Sequence, residues 1–403
     1  MPDPGEDAAA DAALVARARA DLTSTRAHFN HAGMSLTPAP VLARMQAHLD
    51  LEAEIGGYEA AEAATDELSA VPAALAPLFG PGVDADEMAA VESATRAWET
   101  ALWALAETFD YGPGDRVLVD QFAYATVYTS IQRLRAARGI EVEVVASHAD
   151  GSVDVGRLAG LTDASTRLVS VTHMPTHLGV RSDVEAVGRV LAGSGIVYAL
   201  DVAQTLGQMP IDVGAIGCQI AYAPGRKFLR APRGTAALYV EADLADRLVP
   251  LSPGFGSVSP TDPDSFTLPP GARRFDAFEY GHAARLALGA AARYATDIGL
   301  APIERLVVSR SRDVTERLAV TAGVRLVASA DAVGIVSFVH ERLTPEEVWR
   351  HLSELGVNVW VSPAGGAPLD GHARPVLPSV RVSPHYVTGA DDLDRLSAAL
   401  ATM

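Results

Sequence analysis

The chain has 403 residues, 49 % of them hydrophobic, and a formal net charge of −18 at neutral pH. That length allows more than one domain and a large buried core, and the acidic balance argues against nucleic acid or an anionic membrane as partner. A single cysteine, Cys218, rules out an internal disulfide and a cysteine-based zinc site.

The first stretch, MPDPGEDAAADAAL, is acidic and alanine-rich. It lacks the basic-then-apolar order of a secretory signal, so the expected location is the cytoplasm. No apolar run reaches transmembrane length. From about residue 86 to 240, short apolar runs follow one another: DEMAAVES, DRVLVDQ, VEVVAS, RLVSVTHM, GIVYALDVAQ, CQIAYAPG and GTAALYV. Stretches such as TRAWETALWALAETF and SDVEAVGRVLAGSG stand between them with helical periodicity. Fully apolar strands separated by helices predict an α/β domain, a mainly parallel sheet covered on both faces. Its site is expected at the carboxyl ends of the strands.

A Pro/Gly/Ser-rich stretch breaks the pattern at 251–274, and a long helix is predicted over HAARLALGAAARYATDIGL. The remainder reads as a smaller α+β region: VRLVAS, AVGIVSFVH, TPEEVWRHLSELG, VNVWVS, SVRVSP and a terminal helix from about Ala390. The division is an N-terminal segment 1–45 packing with the small domain, a large domain 46–290 and a small C-terminal domain 291–403.

Lys227, in GRKFLRAPRG, is the only lysine among 32 Lys and Arg residues. Arginine replaces lysine wherever a fixed charge suffices, but guanidinium cannot lose its proton to attack a carbonyl. A lone lysine therefore points to imine chemistry, against the alternative of a chance surface survivor. Asp201 closes the run IVYALD about 26 residues earlier. Two strands can thus deliver a carboxylate and an amine to one sheet edge. Pyridoxal phosphate needs both: an amine for its aldehyde, and a carboxylate to keep its ring nitrogen protonated. Its phosphate needs a helix N-terminus, and Ser93-Ala94-Thr95 supplies one after a short strand. Phe122 or Tyr124, in VDQFAYATVY, is available to stack on the ring.

In this order the motifs resemble the class V aminotransferase family, the cysteine desulfurase-like branch of fold-type I pyridoxal-phosphate enzymes. The likeness runs over most of the chain: HFNHAGMSLTP, SAT at 93–95, DVAQ at 201–204, GRK at 225–227 and RVSPHYVTGADDLD at 381–394. It implies a homodimer with a large parallel-sheet domain and a smaller α+β domain. It also implies that Asp201 pairs with the ring nitrogen, that Gln204 meets the 3′-oxygen or imine region, and that Phe122 occupies the stacking position. Thr176 falls near the 3′-oxygen, Ala94 and Thr95 at the phosphate turn, and Asn30 and His31 near the substrate. Arg381 becomes the clamp for the substrate carboxylate. Relatives carry serine or threonine shortly before the lysine as a phosphate ligand. Here Pro224-Gly225-Arg226 stands there, so Arg226 is expected to supply phosphate charge. Where a second subunit lends a phosphate contact, this chain reads FEYGHAAR, which offers Tyr280 or His282.

Desulfurases need a mobile cysteine about a hundred residues past the lysine, whereas Cys218 precedes it beside an apolar strand and reads as core. The nearest resemblance within the family is to lyases of the ergothioneine pathway and to lincosamide-biosynthesis enzymes acting on cysteine S-conjugates. EIGGYEAAEAA, RKFLRAPRG and RVSPHY carry it. It implies β-elimination from an S-substituted cysteine. Decarboxylation with oxidative deamination, transamination and epimerisation share the same residues. A non-catalytic cofactor-binding protein is the rival from another class, and the Asp201/Lys227 pair argues against it.

Overall fold

The computed structural model describes residues 4–251, 259–262, 265–277, 279–327, 331–363, 367–373 and 378–403. Part of the 251–274 break and Phe278 lie outside the described residues.

Seven strands build the large sheet: β1 Met88–Val91, β2 Arg116–Asp120, β3 Glu141–Val145, β4 Thr166–Thr172, β5 Val197–Asp201, β6 Ile220–Pro224 and β7 Ala236–Val240. Their spatial order is β1-β7-β6-β5-β4-β2-β3. The pairs β2/β3, β2/β4, β4/β5 and β5/β6 are parallel. Only β7 runs against its neighbours, β6 and β1.

The apolar runs are two-faced for a visible reason. Val117 and Val119 belong to one core cluster and Leu118 to the other, as the two-residue period of a strand requires. One face is covered by the helix Ala94–Thr108 through Ala97, Trp98, Ala101 and Leu105. The other is covered by Val184–Leu191 and by His282–Ile298 through Ala287, Leu288 and Ala291. The long helix predicted near the domain junction stops at Gly299, which takes φ +92°, and a second helix, Leu300–Ala319, follows it.

A second sheet of four antiparallel strands holds Val324–Leu326, Val336–His340, Ser379–Val382 and Trp360–Ser362, in that order. Helices Pro345–Glu354 and Ala390–Leu400 pack on it through Val348, Leu352, Leu393 and Leu396. VNVWVS, expected as one strand, is two. Val357–Asn358 pairs in parallel with Ala27–His28, and Trp360–Ser362 pairs with Ser379–Val382. Its first half is consumed by the N-terminal segment, whose Phe29 is buried in the same small core. A bridge between Asn30 and Ser383 continues that pairing toward Arg381. No helix among the described residues is long and apolar enough to cross a membrane.

Candidate active site

Parallel strands end together, so their last residues share one rim. Asp201 is the final residue of β5 and lies in register with Thr172 on one side and Tyr222 on the other. Lys227 follows β6 by three residues. The segment after the lysine is fixed by close packing. Gly207, at φ +87°, sits so near that a Cβ there would come within 2.5 Å of Leu229 backbone atoms. The turn after Asp201 and the lysine segment therefore meet backbone to backbone, which only glycine permits.

Two adjoining cavities open at this rim. The first, about 240 Å³, is lined by Thr95, Phe122, Asp201, Gln204, Arg226 and Lys227, among others. The second, about 370 Å³, shares Tyr124, Thr176, Arg226, Lys227 and Arg233 with it and adds Asn30, His177, Trp360 and Arg381.

Burial sets the electrostatics. It lowers the Lys227 amine to about 7, with Asp201 pulling the other way and Arg226 and Arg381 adding repulsion. Burial also raises the Asp201 carboxyl, against the attraction of Lys227. One Asp201 oxygen accepts from the Ala203 amide at 2.8 Å. Near neutral pH a substantial share of Lys227 is thus an unprotonated amine, the form that attacks a carbonyl.

The remaining residues named from sequence fall as follows. Ser93 caps the helix Ala94–Thr108 by accepting from the Arg96 amide at 3.1 Å, and Ala94 and Thr95 form its first turn against the first cavity. Phe122 is buried there, and Tyr124 stands half-exposed with Lys227 Nζ 5.9 Å from its ring centre. Gln204 donates from Nε2 to Thr176 Oγ1 at 2.9 Å, while its Oε1 is buried without a hydrogen bond. Arg226 donates to the Gly33 carbonyl. Arg381 donates to the Thr176 carbonyl at 2.9 Å and to its hydroxyl at 3.1 Å, and approaches Asn30 Oδ1 at 3.5 Å. Burial lowers Arg381 to about 10, still well above neutral, and its Nε has no hydrogen bond.

His31 goes elsewhere. It is buried outside both cavities, hydrogen-bonded to Ser35 at 2.8 Å and edge-on to His28 and His385. Burial holds it well below the ordinary histidine range. Its neighbours Asn30 and Ala32 line the second cavity instead. Tyr280 lines a small recess with Glu92, Gly234 and Thr235, next to the first cavity. His282 packs edge-on to Tyr280 and to His48 rather than at either cavity.

Sequence reasoning assigned no role to Arg233, His177 or Trp360, all of which line the second cavity. Arg233 sits inside the quoted RKFLRAPRG and His177 directly follows Thr176, but each is a loop residue whose direction no periodicity gives.

The residues fit pyridoxal phosphate. Across both cavities, among the described residues, Arg226, Lys227, Arg233 and Arg381 stand with only two carboxylates, Glu92 and Asp201. A cofactor phosphate and a substrate carboxylate match that surplus. The buried, unpaired Gln204 Oε1 and the helix turn at Ala94-Thr95 offer polar partners at the same rim.

Comparison with known proteins shows the family and the fold. Residues 27–396 match the aminotransferase class-V family. A probable cysteine desulfurase of Methanothermobacter thermautotrophicus is 30 % identical over 318 residues, covering 76 % of this chain and 77 % of that protein. The cysteine desulfurase CsdA of Escherichia coli superposes with a TM-score of 0.86 at 20 % identity, covering 96 % of this chain and 98 % of the other. The cystine C–S lyase C-DES, solved in complex with its product cysteine persulfide, gives 0.83 at 22 % identity over 94 % and 98 % of the two chains. Family match, fold and site residues converge: the chain belongs to the class V aminotransferase family and is a fold-type I enzyme that uses pyridoxal phosphate.

Proposed function

We propose that this enzyme cleaves the C–S bond of an S-substituted L-cysteine by β-elimination, releasing a thiol, pyruvate and ammonium with uptake of one water. The observation that carries the reading is the state of the only cysteine. Cys218 is buried in the main core, outside both cavities, and burial pushes its thiol up to about 12. A buried protonated thiol is no nucleophile. No cysteine follows Lys227 in the sequence, so no side chain is available to take sulfur as a protein persulfide. The sulfur must leave with its substituent.

When bound, pyridoxal phosphate supplies the sink for electrons released at Cα. The protein does the rest. Asp201 would hold a proton on the ring nitrogen. Arg381 grips the substrate carboxylate, which fixes how the bonds at Cα are presented. Lys227 Nζ would take the Cα proton, and its lowered basicity would return it readily to the free base. The Cβ–S bond then breaks with its electron pair on sulfur.

Product analysis with a panel of S-substituted cysteines tests this. Pyruvate and thiol in equal amounts support it, whereas carbon dioxide, or an amino group passed to an oxo acid, overturns it for decarboxylation or transamination.

Two variants bear on the assignment. Cys218→Ser should retain near-normal kcat while losing about 1–3 kcal/mol of stability, because a hydroxyl replaces a buried thiol without a set partner. A folded, cofactor-loaded but inactive variant would restore a chemical role for sulfur. Arg381→Lys should keep its cofactor, read from visible absorbance. It should lose about 2 kcal/mol in kcat/KM, because a point charge cannot reproduce the two-pronged contact. Loss of cofactor with normal turnover in the loaded fraction would move Arg381 to the phosphate.

A further inference from the structure

We propose that His177, held by Asp370, is the general acid that protonates the departing sulfur. The inference rests on the C–S cleavage reading above and names a residue for a step that Lys227, Asp201 and Arg381 leave unassigned. A thiol such as that of cysteine has a pKa of about 8.5, so an alkyl thiolate is a reluctant leaving group at neutral pH. Imidazole is the side chain suited to giving a proton and regaining it there.

The geometry points to His177 for four reasons. It lines the second cavity together with Lys227 and Arg381, where the substrate side chain must lie once the amine and carboxylate are held. Its Nε2 is 3.3 Å from Asp370 Oδ2. Asp370 is fully buried, and its other oxygen accepts from Gln121 Nε2 at 2.9 Å, while Gln121 in turn accepts from the Ser147 amide at 3.0 Å. Finally, the His177 backbone carbonyl accepts from Ser337 Oγ of the small sheet at 2.7 Å, and its ring lies 5.5 Å from Phe122. The imidazole is thus held by Asp370 of the helix Pro368–Ala373 and by Phe122, and its backbone by the small sheet.

A buried carboxylate on one imidazole nitrogen fixes the tautomer and the ring's orientation. Asp370 takes Nε2–H, which leaves Nδ1 for the substrate. No hydrogen bond from Nδ1 exists among the described residues. In the step, the Cβ–S pair moves onto sulfur as the Nδ1 proton transfers to it. Lys227 holds the proton taken from Cα. His177 is left neutral and recovers its proton from solvent. Asp370 is a positioning residue.

The test is the dependence of kcat on leaving-group basicity. S-(4-nitrophenyl)-L-cysteine releases an acidic thiol that needs no acid; S-ethyl-L-cysteine releases a basic one that does. Wild-type enzyme should discriminate only weakly between them. His177→Gln should lose about 10²-fold with S-ethyl-L-cysteine but less than about 5-fold with the nitrophenyl substrate. Asp370→Asn should show the same split, less steeply. In cofactor-free, ¹⁵N-histidine-labelled protein, one downfield imidazole N–H resonance should vanish in His177→Gln and move upfield in Asp370→Asn. Equal losses on both substrates, or a steep dependence already in wild type, would overturn the proposal while leaving C–S cleavage standing. A wild type that releases neither thiol would sink both. If a variant fails to keep its cofactor, the wild-type slope decides alone.

Discussion

Lys227→Ala is expected to remove turnover altogether, a fall of at least about 10⁴-fold, because in the proposed mechanism one atom serves as both tether and base. No other lysine exists to substitute. Lys227→Arg should fail equally, since guanidinium keeps its proton and its fork is wider than the amine it replaces. The lowered basicity gives a second, independent readout. Burial favours the neutral amine, so capture of pyridoxal phosphate by cofactor-free wild type should rise as pH passes through about 7. An ordinary lysine would show that rise near 10.4. Borohydride trapping and peptide mapping measure it. A rise only above pH 9, or a trapped cofactor on any other residue, would remove Lys227 from its role.

Asp201→Asn should bind the cofactor yet lose about 10²-fold or more in kcat, the scale of deleting a preorganised charge at a reacting centre. An amide is similar in shape but does not hold a proton on the ring nitrogen. The change has a further consequence within the site. Asp201 is the attraction that opposes the burial of Lys227, so removing it should lower the lysine further and shift the capture profile to lower pH. Near-normal kcat with an unshifted profile would place the ring-nitrogen partner elsewhere.

The parts legible in the sequence are those carried by local chemistry. Fully apolar strands announced the two-faced sheet, and Asp201 and Lys227 at successive strand ends announced the rim. Direction was not legible. Asn30 and His31 are adjacent, yet the bridge to Ser383 leaves one at the cavity and seats the other in a histidine cluster. VNVWVS reads as one strand because its apolar run is continuous, but pairing with Ala27–His28 claims its first half. His177 and Arg233 are loop residues, and His177 is placed by a contact across the fold, that with Asp370, which no spacing encodes.

The reversed strand β7 has a consequence for how the protein assembles. β1 joins the sheet only through β7, and Val91 pairs with Ala236 at the point where the Ser93-Ala94-Thr95 turn meets Gly234 and Thr235. The first strand of the sheet therefore waits for the last. Such a contact closes a long loop and is entropically slow to form. Until β7 has emerged, the Ser93-Ala94-Thr95 turn lacks its Gly234 and Thr235 neighbours at the first cavity. Once formed, the seam is where binding energy enters the folding equilibrium: a ligand that bridges β1 and β7 raises the unfolding temperature with its concentration.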